Sequence, residues 1–357
     1  MTKQFCADVF IAGLGPAGAS AAHAAAAAGL SVIAIDRKAA AGQPVQCAEF
    51  VPAMLSPIEQ SVPSVRRQSI EAMQTFVETA SPHWQENFPG VMIDRGAFDA
   101  EIVAKAIKAG ADCRFQAALA ELDPSGEILL SNGDRVSARI MIGADGPRSK
   151  IGAAIGVVNQ DLVVARQYTV PFATEHPAVD IFLSSEYTGG YAWLFPRGEK
   201  ANIGIGVIPD ARDKLPSLLD ELHAKLINEG RVGGEIFART GGYIPVGGIL
   251  DLWRKFGQTP VMLCGDAAGL TNPITGAGIS SAVISGTLAG ETAAAYLSGE
   301  GQALEEYAEE ILALFNSSQE RALAHRRTML DWYRNNYQPS DEDLRKTWIT
   351  HPEYWAA

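Results

Sequence analysis

"DVFIAGLGPAGASAAHAAAAAGLSVIAIDR", residues 8–37, reads as an apolar strand, a glycine turn, a helix of small residues and a second apolar strand ending in Asp36. That order is a βαβ unit. Gly13 permits the tight turn, Gly15 lets the backbone approach a pyrophosphate, and Gly18 lets the helix pack closely on the sheet. Pro16 and Ala17 open the helix, whose N-terminus favours phosphate charge. Asp36, followed by Arg37, stands about 20 residues beyond the turn, where an acid suits a ribose hydroxyl. A GxGxxG alone is a weak signal and can be a plain structural turn. The strand before it, the helix after it and the acid beyond it point to a bound dinucleotide.

A chain of 357 residues can bury a large core in one domain or two interlocked ones. With 47% hydrophobic and 20% charged residues it should fold throughout. The net charge of -12, with no basic run longer than a doublet such as Arg66-Arg67 or Arg326-Arg327, argues against nucleic acid and against a polybasic membrane anchor. The N-terminus reads as a strand, not a signal peptide. The run from Ala19 to Ala28 is too short for a bilayer span, which needs about 20 apolar residues. Cys6, Cys47, Cys113 and Cys264 lie far apart without metal-ligand spacing, so we expect no metal and four reduced thiols in a cytoplasmic, acidic, soluble protein. The six histidines share no face or spacing, and no GxSxG, HExxH or GxxxxGK is present, which removes the hydrolase, zinc-protease and P-loop readings.

Two later turns extend the first motif. An apolar run from Arg139 to Ile142 precedes Asp145-Gly146, and another from Val261 to Cys264 precedes Gly265-Asp266. In that order the GxGxxG, DG and GD motifs resemble the flavoproteins of the p-hydroxybenzoate hydroxylase fold, across most of the chain. The resemblance implies FAD. It assigns Asp266 to the ribityl chain and places the backbone from Pro273 through Gly276, Ala277 and Gly278 near the isoalloxazine ring. The helix that starts at Ile279 would direct its positive end at the flavin's developing negative charge. Arg95, before a helix in "IDRGAFDAEIVAKAIKAGAD", would reach the cofactor; the competing reading is a solvated arginine at a helix start. No second GxGxxG follows a strand, so NAD(P)H must dock transiently, or another reductant, such as a protein electron donor, takes its place.

Between the DG and GD motifs the period changes to alternation at Val179, Ile181 and Leu183, at Tyr191, Trp193 and Phe195, and at Ile203, Ile205 and Val207, which predicts an antiparallel sheet. Tyr191, Trp193 and Phe195 then form one aromatic wall, with Ala192 and Leu194 facing away. Such a wall can hold an apolar or aromatic substrate or simply be core. "YAWLFPRGEKANIGIG", residues 191–206, resembles the YxWxFP segment and following GxG of the geranylgeranyl reductase family, where it lines the lipid cavity, and "CAE", residues 47–49, resembles that family's Cys-x-Glu element beside the flavin. The resemblance implies reduction of carbon-carbon double bonds in an apolar, prenyl-type substrate. Cys47 and Glu49 would be the catalytic pair, sharing one face of an extended loop, with the carboxylate keeping the thiol neutral as a proton donor. Ala277 departs from a position often glycine, and the chain is short at its C-terminus, which leaves the pocket's size open.

The expected fold is α/β: a Rossmann-like FAD-binding domain over residues 1–75, 90–160 and 255–300, and an inserted antiparallel-sheet substrate-binding domain over 76–89 and 161–254. Residues 301–357 add helices and an aromatic tail with Trp348, Tyr354 and Trp355, suited to cover the sheet or a partner. Two rival functions share these motifs. A flavin monooxygenase or halogenase would act through a C4a-hydroperoxide on an aromatic small molecule or a protein side chain; the halogenases' WxWxIP has the same spacing, with Tyr191 in place of the first Trp. A prenyl-binding protein like the GDP-dissociation inhibitors would do no flavin chemistry, and the intact motifs argue against it.

Overall fold

Val9 to Ala12 are all buried, as a strand covered on both faces must be. In the computed structural model, which describes residues 3–53, 63–78, 80–123 and 125–356, this strand, Gln4–Ala12, sits inside an eight-stranded sheet. The order across it is Trp253–Phe256, Thr259–Leu263, Arg135–Gly143, Gln4–Ala12, Val32–Ile35 and Asp112–Arg114, with Leu119–Leu122 and Ile128–Leu130 attached as a hairpin. Gln4–Ala12, Arg135–Gly143 and Thr259–Leu263 are parallel neighbours, with Ala12 opposite Gly143 and Gly143 opposite Leu263. The turns that follow these strands are the GxGxxG, DG and GD motifs, so the register alone gathers them at the carboxyl ends of the strands, the usual ligand edge of such a sheet.

Small residues let two helices close over that edge. A Cβ on Gly286 would lie 2.0 Å from the Ala17 carbonyl oxygen, and one on Gly290 would lie 2.5 Å from that of Ala21. The helix Ile279–Ser298 can therefore rest on the helix Pro16–Ala27 only because both are built from Gly, Ala and Ser at the contact.

The second sheet has seven strands in the order Ala238–Pro245, Leu162–Pro171, Lys200–Val207, Ala192–Arg197, Ala178–Leu183, Ala72–Val77 and His83–Gln85. All neighbours are antiparallel except Ala178–Leu183 with Ala72–Val77. One face packs Leu194, Ile203 and Ile205 on the helix Leu215–Asn228; the other packs Trp193 and Phe195 under the C-terminal segment. Phe50–Pro52, Gly90–Ile93 and Arg66–Ile70 form a small third sheet.

Two expected boundaries cut through strands. Residues 72–75 were assigned to the dinucleotide part, but Ala72–Val77 pairs along its whole length with Ala178–Leu183. Trp253–Phe256 pairs with Thr259–Leu263 in the large sheet, so the break after residue 254 also falls inside a strand. Composition does not change at either place, and only the backbone pairing marks the crossing. Among the described residues no helix is long and apolar enough to cross a membrane, and no group of three or more His, Cys, Asp or Glu side chains could hold a metal.

Candidate functional site

The three glycines of the first turn meet different surroundings. Gly13 has φ +98°, and a Cβ there would stand 2.3 Å from the Ala144 carbonyl oxygen; one on Gly18 would stand 1.8 Å from that of Gly13. A Cβ on Gly15 would meet no atom within 4 Å, so that backbone borders open space. Gly15 is the N-cap of the helix Pro16–Ala27, and no side chain caps it, which leaves its first N–H groups for an anion. Pro16 and Ala17 are buried in the first turn of this helix. Asp36 accepts from Leu14 N at 2.9 Å and Lys38 N at 2.8 Å, one bond on each oxygen, which fixes the turn and leaves lone pairs for a hydroxyl. Arg37 is exposed. Asp145 accepts from the Ser149 hydroxyl and from Lys150 N at 2.7 Å, anchoring the start of the helix Lys150–Ala154. Beside it, Gly146 has φ +84° and no atom within 4 Å of a Cβ.

The GD turn brings three predicted residues together. Gly265 has φ +58°, and a Cβ there would lie 2.9 Å from Ala17 Cβ, so the turn touches the first helix. Asp266 Oδ1 accepts from Thr271 Oγ1 at 2.8 Å, while Oδ2 has no partner among the described residues. Burial raises the Asp266 pKa against the opposing effects of Thr271 and of the nearby Arg95 guanidinium. Arg95 is not a solvated arginine. It opens the helix Arg95–Ala109, its side chain is only 16% exposed, and Asp99 holds it with Nε to Oδ1 at 2.6 Å and Nη2 to Oδ2 at 3.3 Å. Its guanidinium also lies beside the Cys47 thiol.

From Thr271 to Gly278 the chain folds around Asn272, whose Oδ1 accepts from Ile274 N at 3.0 Å and Thr275 N at 2.9 Å. Gly276, with φ +69°, donates to the Asn272 carbonyl at 3.0 Å, and the Ala277 carbonyl accepts from Asn272 N at 2.9 Å. Three carbonyls of the turn are held from outside: Thr271 O by Gln319 Nε2 at 3.2 Å, Pro273 O by Arg326 Nη1 at 3.4 Å, and Thr275 O by the Tyr191 hydroxyl at 2.5 Å. The N–H groups of Gly278 and Ile279, at the head of the helix Ile279–Ser298, have no protein acceptor among the described residues.

Tyr191, Trp193 and Phe195 share one face, while Ala192 and Leu194 lie in the opposite cluster. The wall is covered: Trp193 and Phe195 are each 6% exposed, and the Trp348 ring lies 4.7 Å from that of Tyr191. Trp348 and Tyr354 of the tail are buried on this sheet, whereas Trp355 is 54% exposed. Trp193 Nε1 donates to Gln167 Oε1 at 3.1 Å, and Gln167 Nε2 donates to the Cys47 carbonyl at 3.1 Å. Wall and loop are thus one hydrogen-bonded unit.

The loop itself differs from the expected extended form. Glu49 has φ +71°, a left-handed conformation uncommon outside glycine, and its N–H donates to Cys47 Sγ at 3.2 Å, so the two side chains do not share the face of an extended strand. The buried Glu49 carboxylate accepts from Arg95 N and Asn202 Nδ2, each at 2.9 Å, and pairs with Arg197 at 3.3 Å. Both its oxygens are engaged. The half-buried Cys47 thiol has its pKa raised chiefly by burial, which Arg95 opposes, with Glu49 a smaller contribution. The neutral thiol was expected; its main cause was not. Gln167, Asn202, Arg197 and Asp99 escaped the sequence reading. Asp99 alone left a signal there, an acid four residues after Arg95 on a helix.

These features fit FAD. The open backbone at Gly15 and Gly146, the unpaired Asp266 oxygen and the free N–H groups at Gly278 and Ile279 all border the carboxyl edge of the sheet. Comparison with known proteins agrees. A family model described as the geranylgeranyl reductase catalytic domain matches residues 161–242. Digeranylgeranylglycerophospholipid reductase 1 of Methanopyrus kandleri is 35% identical over 305 residues, covering 80% of each chain. The crystal structure of a geranylgeranyl bacteriochlorophyll reductase-like protein from Thermoplasma acidophilum superposes with a TM-score of 0.83 at 26% identity, covering 96% of this chain and 90% of that one. A probable FAD-dependent monooxygenase from Pseudomonas aeruginosa, at 16% identity and a TM-score of 0.70 over 92% of this chain and 98% of its own, shares the fold. The chain belongs to the geranylgeranyl reductase family of FAD-dependent oxidoreductases.

Proposed function

We propose that this enzyme saturates isolated carbon-carbon double bonds of a prenyl lipid, with electrons from NAD(P)H or another transient reductant. One observation carries the reading. The wall of Tyr191, Trp193 and Phe195 reaches the Pro273–Gly278 turn through the Tyr191 hydroxyl and the Cys47 loop through Gln167, so an apolar surface adjoins both reacting parts. The relatives are named as reductases of geranylgeranyl-bearing phospholipids, which matches that surface.

FAD, once reduced, supplies the hydride equivalent. The rest belongs to the protein. Packed under the tail, the wall excludes water and holds the Pro273–Gly278 turn and the Cys47 loop in fixed relation, which sets the geometry in which an alkene would be aligned. Cys47, kept protonated by its burial, gives its proton to the alkene carbon that does not receive hydride. The Arg95 guanidinium beside it steadies the thiolate until water returns the proton. With both oxygens of Glu49 engaged, we assign that residue to positioning: it ties Arg95 N to Asn202 and so fixes Cys47 against Arg95. Asp36, Asp145 with Gly146, and Asp266 would hold the cofactor. Four free thiols suit a reducing cytoplasm.

The test is product analysis. Dithionite-reduced enzyme, given a lipid with geranylgeranyl chains under argon, should yield product heavier by two hydrogens for each saturated bond. Unchanged lipid after full flavin loading would reject the proposal.

A further inference from the structure

Arg326 lies on the inner side of the helix Ala303–Arg334, 4% exposed, between Ala322 and Met329, which pack into the aromatic-wall cluster. Its Nη1 donates to Gly189 O at 3.1 Å and to Pro273 O at 3.4 Å, and its buried Nε has no partner. Two other partly buried arginines are compensated, Arg95 by Asp99 and Arg231 by the buried Asp180. Arg326 forms no ion pair among the described residues; the carboxylate that acts on it, Asp161, is exposed. Burial brings its pKa down to about 10, which still leaves it cationic at neutral pH.

A buried, uncompensated guanidinium is expensive to keep, and holding a carbonyl does not require one. In this turn Thr271 O is held by the amide of Gln319 and Thr275 O by the hydroxyl of Tyr191, both neutral. Only Pro273 O, between them, is held by a cation. The free N–H groups of Gly278 and Ile279 end the same turn with the positive pole of a twenty-residue helix. Both sources of positive potential converge on one segment, where the nearest acids are the Asp266 carboxyl beside Gly278 and the exposed Asp161 that acts on Arg326, and neither forms an ion pair with Arg326 among the described residues.

We propose that Arg326 is a positioning residue whose charge, acting through the Pro273–Gly278 turn, raises the reduction potential of the bound flavin by stabilising the negative charge of its reduced form. This rests on the proposed placement of the flavin at that turn. The experiment is a spectroelectrochemical titration of FAD bound to wild type, Arg326→Gln and Arg326→Lys, with flavin stoichiometry and melting temperature taken on the same samples. Arg326→Gln should bind oxidised FAD like wild type but reduced FAD about tenfold more weakly, a midpoint lower by about 30 mV for a two-electron couple. Arg326→Lys keeps the charge and loses the fork, so it should melt earlier and hold the wild-type potential. A wild-type potential in Arg326→Gln overturns the inference. So does an Arg326→Lys potential displaced as far as that of Gln, because geometry rather than charge would then be responsible. If Arg326→Gln does not fold, Arg326→Met serves as the charge-removing variant beside Arg326→Lys: a lowered potential in Met with a wild-type potential in Lys supports the inference, and equal potentials in the two refute it. Wild-type protein that takes up no FAD would instead defeat the flavin reading beneath it.

Discussion

Gly15→Val separates what the fold needs from what the cofactor needs. Gly15 has φ −76° and ψ −170°, which valine adopts freely, and a Cβ there meets no atom within 4 Å. The apo protein should therefore keep its stability within about 0.5 kcal/mol, or gain that much because a glycine's freedom in the unfolded chain is removed. The branched side chain would occupy the approach of the pyrophosphate. At FAD about 100-fold above its dissociation constant, wild type should gain about 2.7 kcal/mol from binding, and the variant nothing. Gly18→Ala is the control: its Cβ would lie 1.8 Å from the Gly13 carbonyl oxygen, and relieving that overlap by backbone movement should cost the apo protein about 3 kcal/mol or more. Thermal melts with and without FAD, together with quenching of flavin fluorescence, measure both terms. Gly15→Val that binds FAD like wild type would refute the placement of the pyrophosphate, and an apo melt lowered as far as that of Gly18→Ala would refute the steric argument.

Other perturbations probe the remaining parts. Cys47→Ser should keep FAD and its reduction rate but lose reoxidation by substrate; stopped-flow traces with normal substrate-dependent reoxidation would return Cys47 to a packed thiol. Trp193→Phe keeps a six-membered aromatic ring in place of the indole and removes the bond to Gln167, so it should cost about 1–2 kcal/mol, whereas Trp193→Ala should cost about 3–5 kcal/mol because the side chain is buried under the tail; denaturant melts that fail to separate the two would contradict the packing described. The tail should respond to acid. His351 is held down to about 4 by burial and by the neighbouring His83, and His325 under Tyr354 is also lowered, while an unfolded histidine takes its proton near 6.5. Tail packing is therefore complete above about pH 6.5 and weakens as the pH falls from there towards 4; tryptophan fluorescence flat across that window would exclude the effect.

How much was legible depended on whether a feature is local. The βαβ unit could be read because strand, turn, helix and acid follow one another within 30 residues and each has its own steric requirement. The aromatic wall could be read because alternation fixes faces without reference to a partner. The loop at Cys47 could not: the left-handed conformation of Glu49 and the partners of its carboxylate, Asn202 and Arg197, come from strands some 150 residues later. No local pattern announces a contact at that range. Residues 72–75 fall on the wrong side of the expected boundary for the same reason, since the pairing of Ala72–Val77 with Ala178–Leu183 is parallel and non-local. Arg326 looked like half of a basic doublet, and only packing distinguishes it from its exposed neighbour Arg327.

The central claim is that the flavin's electrons go to an alkene and not to oxygen. An anaerobic single turnover tests it most directly: enzyme reduced stoichiometrically with dithionite is mixed with a geranylgeranyl-bearing lipid, and the flavin absorbance and the lipid mass are followed together. The account predicts flavin reoxidation without oxygen, with one bond saturated per flavin and the rate dependent on Cys47. Reoxidation that waits for oxygen and leaves the substrate heavier by one oxygen atom would contradict it.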